Sequence, residues 1–141
     1  AAIRSEKFSV VFVNNAIFGM TGGQMAPTTL EGQVTTTSPY GRKAEECGTP
    51  INMAEFISNI DGCIYSERVA VNSPKNIIAA KRAIKKSFQY QIEGKGFSFV
   101  EVLSQCPTGW KVSPLKSLDW VDDDLLKVYP LGTFKTPEVN K

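Results

Sequence analysis

The chain of 141 residues has the length of a single domain. Its formal net charge of +2 is too small to indicate binding to nucleic acid or to a membrane surface. The content of 42% hydrophobic and 21% charged residues is typical of a globular protein in water. The sequence contains no histidine, which removes the commonest general base and the commonest zinc ligand.

The three cysteines, Cys47, Cys63 and Cys106, stand far apart and form no CxxC pair. Such a dispersed, odd set is typical of a reducing compartment rather than of a disulfide framework. The first residues, AAIRSEK, lack the apolar core of a signal peptide, and their charges exclude a membrane span. We therefore expect a cytoplasmic protein without a membrane segment.

The first predicted element is a strand at residues 8–13, where a β-branched apolar run is typical of a strand covered on both faces. Residues 21–49, rich in Thr, Gly and Pro, predict a long ordered loop, because loops of this length inside a domain are usually functional. A weak helix is predicted at residues 52–59.

A second, less regular strand is predicted at residues 63–71, and the strongest helix signal follows it. Ser73 is a good N-cap, Pro74 suits the first helical position, and Gly94 and Gly96 end the helix. The apolar side chains expected on one face of this helix are Ile77, Ala80, Ile84 and Phe88.

The third strand is predicted at Phe97–Leu103 and a further helix at residues 118–128, while the chain after Gly132 is expected to form a loose extension. Strands that alternate with helices are typical of an α/β fold in which helices flank a parallel sheet. The sequence therefore predicts this fold class.

The segment VNNAIFGMTGGQMAPTT follows the first strand, at residues 13–29. In open α/β sheets, ligands bind beyond the carboxyl ends of the strands, where Asn14 and Asn15 stand. The glycines of the segment allow close backbone approach and positive φ, so that backbone N–H groups can face an anion. These glycines are Gly19, Gly22 and Gly23.

This loop matches neither of the common phosphate motifs. Gln24 stands where a Walker loop needs lysine, and the glycine spacing is not GxGxxG. An amide oxygen beside a backbone carbonyl is a suitable partial shell for Mg²⁺, which would add a carboxylate and ligand phosphates. The alternative is a glycine-rich turn with polar caps, and the spacing alone favours neither.

The same segment resembles the second half of the thiamine diphosphate motif in β subunits of 2-oxoacid:ferredoxin oxidoreductases. That motif opens with Gly-Asp-Gly and closes with an asparagine pair. The stretch FVEVLSQCPTGW resembles the later VLSPCPT segment of the family, and YPLGTFK also fits, so the similarity covers most of the chain. The MTGGQ sequence distinguishes it from transketolases, decarboxylases and acetolactate synthases.

The resemblance implies a cofactor site. Asn15 would give its side-chain oxygen to Mg²⁺, and Ile17 would give its backbone carbonyl. The diphosphate and thiazolium region of the cofactor would be lined by Gly19, Met20, Thr21 and Gly22. Gly-Asp-Gly occurs nowhere in the chain, so the aspartate ligand is absent. Residues 1–141 thus resemble the C-terminal portion of a thiamine diphosphate-binding domain, from a β-subunit fragment or a split gene product.

The implied reaction is oxidative decarboxylation of a 2-oxoacid to an acyl-CoA, with electrons passing through iron–sulfur clusters to ferredoxin. The resemblance leans mildly to the branched-chain (2-ketoisovalerate) or 2-oxoglutarate group. The implied partners are the α subunit and the γ or δ subunits of the same enzyme, and the glutamate that contacts the aminopyrimidine ring comes from a partner. Two alternatives stay open: a non-catalytic assembly domain with half of the motif, and a phosphate-binding module unrelated to thiamine.

Because the resemblance implies that the glutamate at the aminopyrimidine ring belongs to a partner, no catalytic acid or base is assigned within the chain, and its own glutamates are interpreted as surface carboxylates. The carboxylates interpreted in this way are Glu31, Glu45, Glu46, Glu55 and Glu101. Cys106 follows the third strand and precedes Pro107. In relatives with a β-subunit cluster the cysteine at this place binds iron, so the resemblance makes Cys106 a candidate ligand of a 4Fe–4S cluster. An inert, buried thiol is the alternative.

Overall fold

The computed structural model describes residues 1–137. Its four strands form one sheet, and they are β1 (Ser9–Asn14), β2 (Cys63–Ala70), β3 (Phe97–Leu103) and β4 (Gly132–Lys135). The order across the sheet is β1-β3-β2-β4. β3 pairs in parallel with β1 and β2, and β4 pairs with β2 in the antiparallel direction. The predicted α/β fold is confirmed, with a mixed rather than a purely parallel sheet.

The helices are α1 (Ala44–Cys47), α2 (Met53–Ser58), α3 (Pro74–Ile92), α4 (Pro107–Trp110), α5 (Pro114–Trp120) and α6 (Leu126–Val128). A 3-10 turn covers Ala2–Arg4, and a π-helical turn at Val121–Leu125 joins α5 to α6. The predicted helix at residues 118–128 therefore begins earlier, at Pro114, where the Ser113 side chain accepts a hydrogen bond from the Lys116 N–H.

Helix α3 has the predicted cap and ends just before Gly94, and two of the four side chains predicted for its buried face, Ala80 and Ile84, pack against the core. Its buried residues are Ala80, Ala83 and Ser87. Ile77 and Phe88, which were expected on the buried face, are 39% and 47% exposed. The small residues let the helix approach β3 so closely that the Ser87 and Ser98 hydroxyl oxygens lie 2.8 Å apart. Because the helix lies so close to the sheet, the larger side chains of Ile77 and Phe88 stay at the edge of the interface between helix and sheet.

Strand β1 is not covered on both faces, so that prediction is wrong. Val11 and Val13 are 37% and 58% exposed, whereas Val10 and Phe12 pack against the core. β1 lies at the end of the strand order, and α3 reaches its exposed face only near Ser9, whose hydroxyl donates to the Ser87 carbonyl. The apolar sequence of β1 thus includes side chains that the described residues leave uncovered.

The prediction of a loose extension after Gly132 is wrong for Gly132–Lys135. This segment is β4, and it pairs with β2 at Glu67↔Thr133 and Arg68↔Gly132. The Phe134 ring also lies against the buried Arg68 guanidinium, with 4.9 Å between the ring centroid and Cζ. The end of the predicted extension, residues 138–141, lies outside the described part of the chain.

Arg42 organises the predicted ordered loop at residues 21–49, which contains α1 and is otherwise irregular. Arg42 is only 5% exposed. Its guanidinium donates hydrogen bonds of 2.8–3.3 Å to the carbonyl oxygens of Ala26, Pro27, Thr29, Cys47, Gly48 and Thr49. Carbonyls from both ends of the loop therefore share one planar donor group, which keeps the loop compact.

Replacing Arg42 with lysine should destabilise the fold by about 2–4 kcal/mol, because an ammonium group cannot serve all these carbonyls and each unsatisfied buried acceptor costs about 1–3 kcal/mol. Thermal unfolding and limited proteolysis within residues 21–49 would measure the effect. Lys43→Ala is the matched control, because Lys43 is 56% exposed and pairs only with Glu46 at the surface. Equal stability of the two variants would contradict the role of Arg42.

Candidate functional site

The two asparagines at the end of β1 have different environments. Asn14 is 1% exposed, its Nδ2 donates to Glu101 Oε1 at 2.7 Å, and its Oδ1 accepts from the Ala16 N–H at 3.0 Å. Asn15 is half-buried, and its Oδ1 accepts a long hydrogen bond of 3.4 Å from the Ile17 N–H. Asn14 is therefore committed to the fold, while the side-chain oxygen of Asn15 is available to a ligand.

A left-handed turn at Ala16 directs the chain after β1. Ala16 has φ of 55°, a conformation that costs a residue with a Cβ about 1–2 kcal/mol. The Thr29 hydroxyl donates to the Ala16 carbonyl at 2.7 Å, and Trp110 Nε1 donates to the Asn15 carbonyl at 2.9 Å. Among residues 1–137, the Ile17 carbonyl accepts no hydrogen bond. Of the two predicted metal ligands, Asn15 Oδ1 therefore has only the long contact with the Ile17 N–H, and the Ile17 carbonyl has no partner among residues 1–137.

The residues predicted to hold the cofactor divide between two cavities. Asn15 and Ile17 line one of about 330 Å³, with apolar walls from Phe12, Phe18, Ile51 and Met53. A second cavity, of about 310 Å³, is lined by Gly19, Gly22, Gly23, Thr108 and Lys111 among others. Met20 and Thr21 line neither cavity and are exposed at the tip of the loop. The predicted cofactor-binding residues are therefore neighbours along the chain, but they do not line one common cavity.

Two of the loop glycines need the conformation that the sequence suggested. Gly22 and Gly23 have φ of 110° and 77°. A Cβ at Gly22 would meet no atom within 4 Å, so the constraint there is the backbone conformation and not crowding. The positive φ values at these two positions are as predicted, and residues with a Cβ would disfavour them.

Cys106 packs between two glycines. A Cβ built on Gly19 would lie 2.9 Å from Cys106 Sγ, and one built on Gly109 would lie 2.8 Å from it. Within residues 1–137 no three His, Cys, Asp or Glu side chains lie together in a way that could hold a metal ion. Cluster ligation by Cys106 therefore stays a prediction, and the contact that its thiol makes is with the loop backbone.

Glu101 is not a surface carboxylate, and that interpretation is wrong. It is fully buried in β3, where Oε2 accepts from Arg68 Nε at 2.8 Å and from the Ala54 N–H at 3.2 Å, and Oε1 accepts from Asn14. The other glutamates are exposed or partly exposed as expected, and they are Glu31, Glu45, Glu46 and Glu55. The sequence signal was only local: FVEVL places Glu101, and SERVA places Glu67 and Arg68, in strands that also carry apolar residues. The fold adds that Arg68 is in register with Glu101.

The phenols and thiols of the core hold their protons more strongly than usual. Burial raises the pKa of Tyr129, and the nearby Glu101 carboxylate raises it further. Burial also raises the pKa of the Cys63 thiol, and burial together with the hydrogen-bonded Glu67 raises the pKa of Tyr65. None of these groups lines either cavity, so none is placed to act as an acid or base there.

Comparison with known proteins decides the family. Residues 1–102 match the thiamine pyrophosphate enzyme, C-terminal TPP binding domain. The chain belongs to the thiamine pyrophosphate enzymes. Its relatives include ketoisovalerate oxidoreductase subunit VorA of Methanothermobacter thermautotrophicus, 45% identical over 135 residues, and 2-oxoglutarate synthase subunit KorB of Archaeoglobus fulgidus, 36% identical over 145 residues. The predicted resemblance to subunits of 2-oxoacid:ferredoxin oxidoreductases is confirmed.

This thiamine pyrophosphate enzyme domain spans half or less of those relatives. Each alignment covers 96% of the chain, but 28% of the VorA subunit and 50% of the KorB subunit. A solved structure, the 2-oxoglutarate:ferredoxin oxidoreductase from Magnetococcus marinus with 2-oxoglutarate, coenzyme A and succinyl-CoA bound, matches with a TM-score of 0.66. That match covers 99% of this chain and 52% of the other at 20% identity, which shows a shared fold.

Membrane insertion was not expected from the sequence. Over residues 1–137, no helix combines the length and the hydrophobicity that crossing a bilayer requires.

Gly19→Ala should lower the melting temperature, because its Cβ would press on Cys106 Sγ and such overpacking costs about 1–3 kcal/mol. The double variant Gly19→Ala/Cys106→Ala should recover most of this loss, since it removes the sulfur. Gly132→Ala is a matched control, because a Cβ there meets no atom within 4 Å. A double variant no more stable than Gly19→Ala would show that the glycine is needed for another reason.

Proposed function

We propose that this domain binds thiamine diphosphate with Mg²⁺, as part of the β subunit of a 2-oxoacid:ferredoxin oxidoreductase. The observation that carries the proposal is the pair of available oxygens, Asn15 Oδ1 and the Ile17 carbonyl, on one cavity at the carboxyl end of β1. Membership in the thiamine pyrophosphate enzymes supports the identity of the cofactor, and the named relatives support the reaction class.

The donor set fits part of a magnesium shell. Mg²⁺ prefers oxygen ligands in a near-ideal octahedron and usually combines one or two carboxylates with phosphates and water. Asn15 and Ile17 offer two neutral oxygens, and no carboxylate lines their cavity among residues 1–137. The proposal therefore requires a carboxylate from another segment of the full protein, as the Gly-Asp-Gly part of the motif would provide.

The residues around the oxygens suit the organic part of the cofactor. Phe12, Phe18, Ile51 and Met53 form an apolar wall that would pack against its rings and exclude water. Trp110 holds the Asn15 backbone, which orients the side chain. When bound, the cofactor would stabilise the negative charge that develops on decarboxylation, and this chain would position it and exclude water from it. The proposal leaves proton transfer to a glutamate of a partner subunit.

We propose oxidative decarboxylation of a 2-oxoacid to an acyl-CoA, with electrons passed through iron–sulfur clusters to ferredoxin, and with the α and γ or δ subunits as partners. A branched-chain 2-oxoacid is the first substrate to test, because identity to the ketoisovalerate subunit is 45% against 36% for the 2-oxoglutarate subunit. Ligation of a 4Fe–4S cluster by Cys106 belongs to the same proposal and would need cysteines from elsewhere.

One observation favours a second candidate function, an assembly domain without bound cofactor. The cavity of Asn15 holds no charged group among the described residues, and a half-site of this kind binds a divalent cation poorly by itself. The two functions differ in one measurable property, the thiamine diphosphate content of the assembled enzyme.

Asn15→Ala in the assembled enzyme should raise the Mg²⁺ concentration needed to retain thiamine diphosphate by about tenfold or more, since one metal ligand is lost. Calorimetric titration with the cofactor at fixed Mg²⁺ concentrations would measure this. Asn59→Ala is the matched control, because Asn59 is exposed and its Nδ2 binds only the Glu55 carbonyl at the end of α2. Normal cofactor retention by Asn15→Ala at limiting Mg²⁺ would show that Asn15 is not a ligand, and absence of the cofactor from the unsubstituted enzyme would favour the assembly domain.

Gly22→Val should weaken thiamine diphosphate binding more than it weakens the fold, because a β-branched residue resists positive φ and Gly22 lines the second cavity. Gly48→Val carries the same type of backbone strain, with φ of 70° and open space around the Cβ, but lies away from both cavities. Similar melting temperatures with cofactor loss in the Gly22 variant alone are expected. Equal cofactor binding by both variants would restrict the site to the Asn15 side of the loop.

A further inference from the structure

The Glu101 carboxylate lies at the centre of the sheet, where an ion pair brings little stability. Its partner Arg68 is 1% exposed, so both charges are withdrawn from water. Desolvation of such a pair offsets most of the attraction, and apolar residues of similar volume often stabilise a core as well or better. Stability alone therefore does not explain a carboxylate at this position in β3.

The carboxylate determines which way the Asn14 amide points. A carboxylate only accepts hydrogen bonds, so the group that faces Glu101 at 2.7 Å must be the Asn14 Nδ2. The Asn14 Oδ1 then faces the Ala16 N–H at 3.0 Å and accepts from it. With the amide reversed, oxygen would meet oxygen at Glu101, and the NH₂ group would meet the N–H of Ala16. Glu101 thus decides that Asn14 can hold the Ala16 N–H.

The hydrogen bond to the Ala16 N–H secures the turn that presents the two metal-facing oxygens. Ala16 is fully buried and has φ of 55°, so the left-handed conformation needs support from its neighbours. Asn14 supports the N–H side of this residue, and Thr29 supports its carbonyl. Asn15 and Ile17 flank Ala16, so their positions follow from this turn.

We propose that Glu101 is a positioning residue for the magnesium site. Acting through Asn14, it fixes the left-handed turn at Ala16 that presents Asn15 Oδ1 and the Ile17 carbonyl to the metal. The inference rests on the proposed function, because it concerns the same metal. Arg68 holds the carboxylate in place through the 2.8 Å contact of Nε with Oε2.

The arrangement can be tested in the assembled enzyme by exchanging the Asn14 amide and the Glu101 carboxylate, first one at a time and then together. In Glu101→Gln, the new amide oxygen can still accept from Arg68 and Ala54, but its NH₂ group then meets the NH₂ group of Asn14. In Asn14→Asp, two acceptor-only groups face each other with no hydrogen between them. The double variant Asn14→Asp/Glu101→Gln restores every donor–acceptor pair and keeps one negative charge near Arg68.

Each single variant should raise the Mg²⁺ concentration for half-maximal retention of thiamine diphosphate by about tenfold, and the double variant should return it close to the unsubstituted value. Hydrogen exchange at the Ala16 amide is the second readout, because it reports the Asn14 hydrogen bond without cofactor or turnover. It should speed up in both single variants and slow again in the double variant. Melting temperatures are recorded in parallel.

Two further variants separate positioning from general stability. Asn14→Ala removes the link to Ala16 but leaves the Arg68–Glu101 pair intact, so it tests the inference if a single exchange variant does not fold. Ser87→Ala removes a buried hydrogen bond to Ser98 on another part of the sheet. It should lower the melting temperature without changing the Mg²⁺ requirement or the exchange of the Ala16 amide.

The outcomes distinguish this inference from the proposed function. If the unsubstituted enzyme retains no thiamine diphosphate with Mg²⁺, the proposed function fails and the inference fails with it. If the unsubstituted enzyme retains the cofactor and the folded Asn14 and Glu101 variants do so at the same Mg²⁺ concentration, the inference alone is overturned. A folded double variant as impaired as the single ones would also overturn it.

Discussion

The ion pair between Arg68 and Glu101 is the interaction on which the rest of the structure depends. It joins β2 to β3 through the 2.8 Å contact of Nε with Oε2, and further hydrogen bonds extend from it to the end of β1 at Asn14, to the start of α2 at Ala54, and to the Pro130 carbonyl before β4. An unpaired charge at this depth would cost several kcal/mol. The elements that satisfy the pair must therefore assemble together, and the end of β1 is one of them.

The loop after β1 is held by polar contacts in addition to the burial of Leu30 in the core. Arg42 holds carbonyl groups from both ends of residues 21–49, and the Tyr129 hydroxyl donates to the Thr28 carbonyl at 2.7 Å, which ties the loop to the chain after α6. Such contacts fix the backbone without covering it with side chains. Gly22 and the tip at Met20 remain exposed, which is the combination that a preorganised binding loop needs.

The proposed function assigns only part of the chemistry of the site to this chain. The described residues would contribute two neutral oxygens and an apolar wall. The proposal assigns the carboxylate ligand of the metal to another segment of the full protein, and the glutamate that acts on the cofactor to a partner subunit. The incomplete cavity lies beside Val13, the most exposed apolar residue of the edge strand β1. A shared cofactor and an uncovered strand at the same edge are consistent with a domain whose site is completed by further protein.

The sequence by itself determined the features that depend on near neighbours: the three main strands, the cap of α3, the loop glycines with positive φ, and the motif that marks the family. Contacts between residues far apart in the chain became visible only in the folded protein. An isolated glutamate in an apolar strand has the same local pattern whether it faces water or, like Glu101, an arginine 33 residues away. For the same reason, only the folded chain determines that Asn14 is structural while Asn15 is available, that Gly132–Lys135 pairs with β2, and that α3 packs through its small residues. Burial and hydrogen bonding depend on which groups come into contact in the folded chain. The spacing of residues along the sequence does not show which distant groups these are.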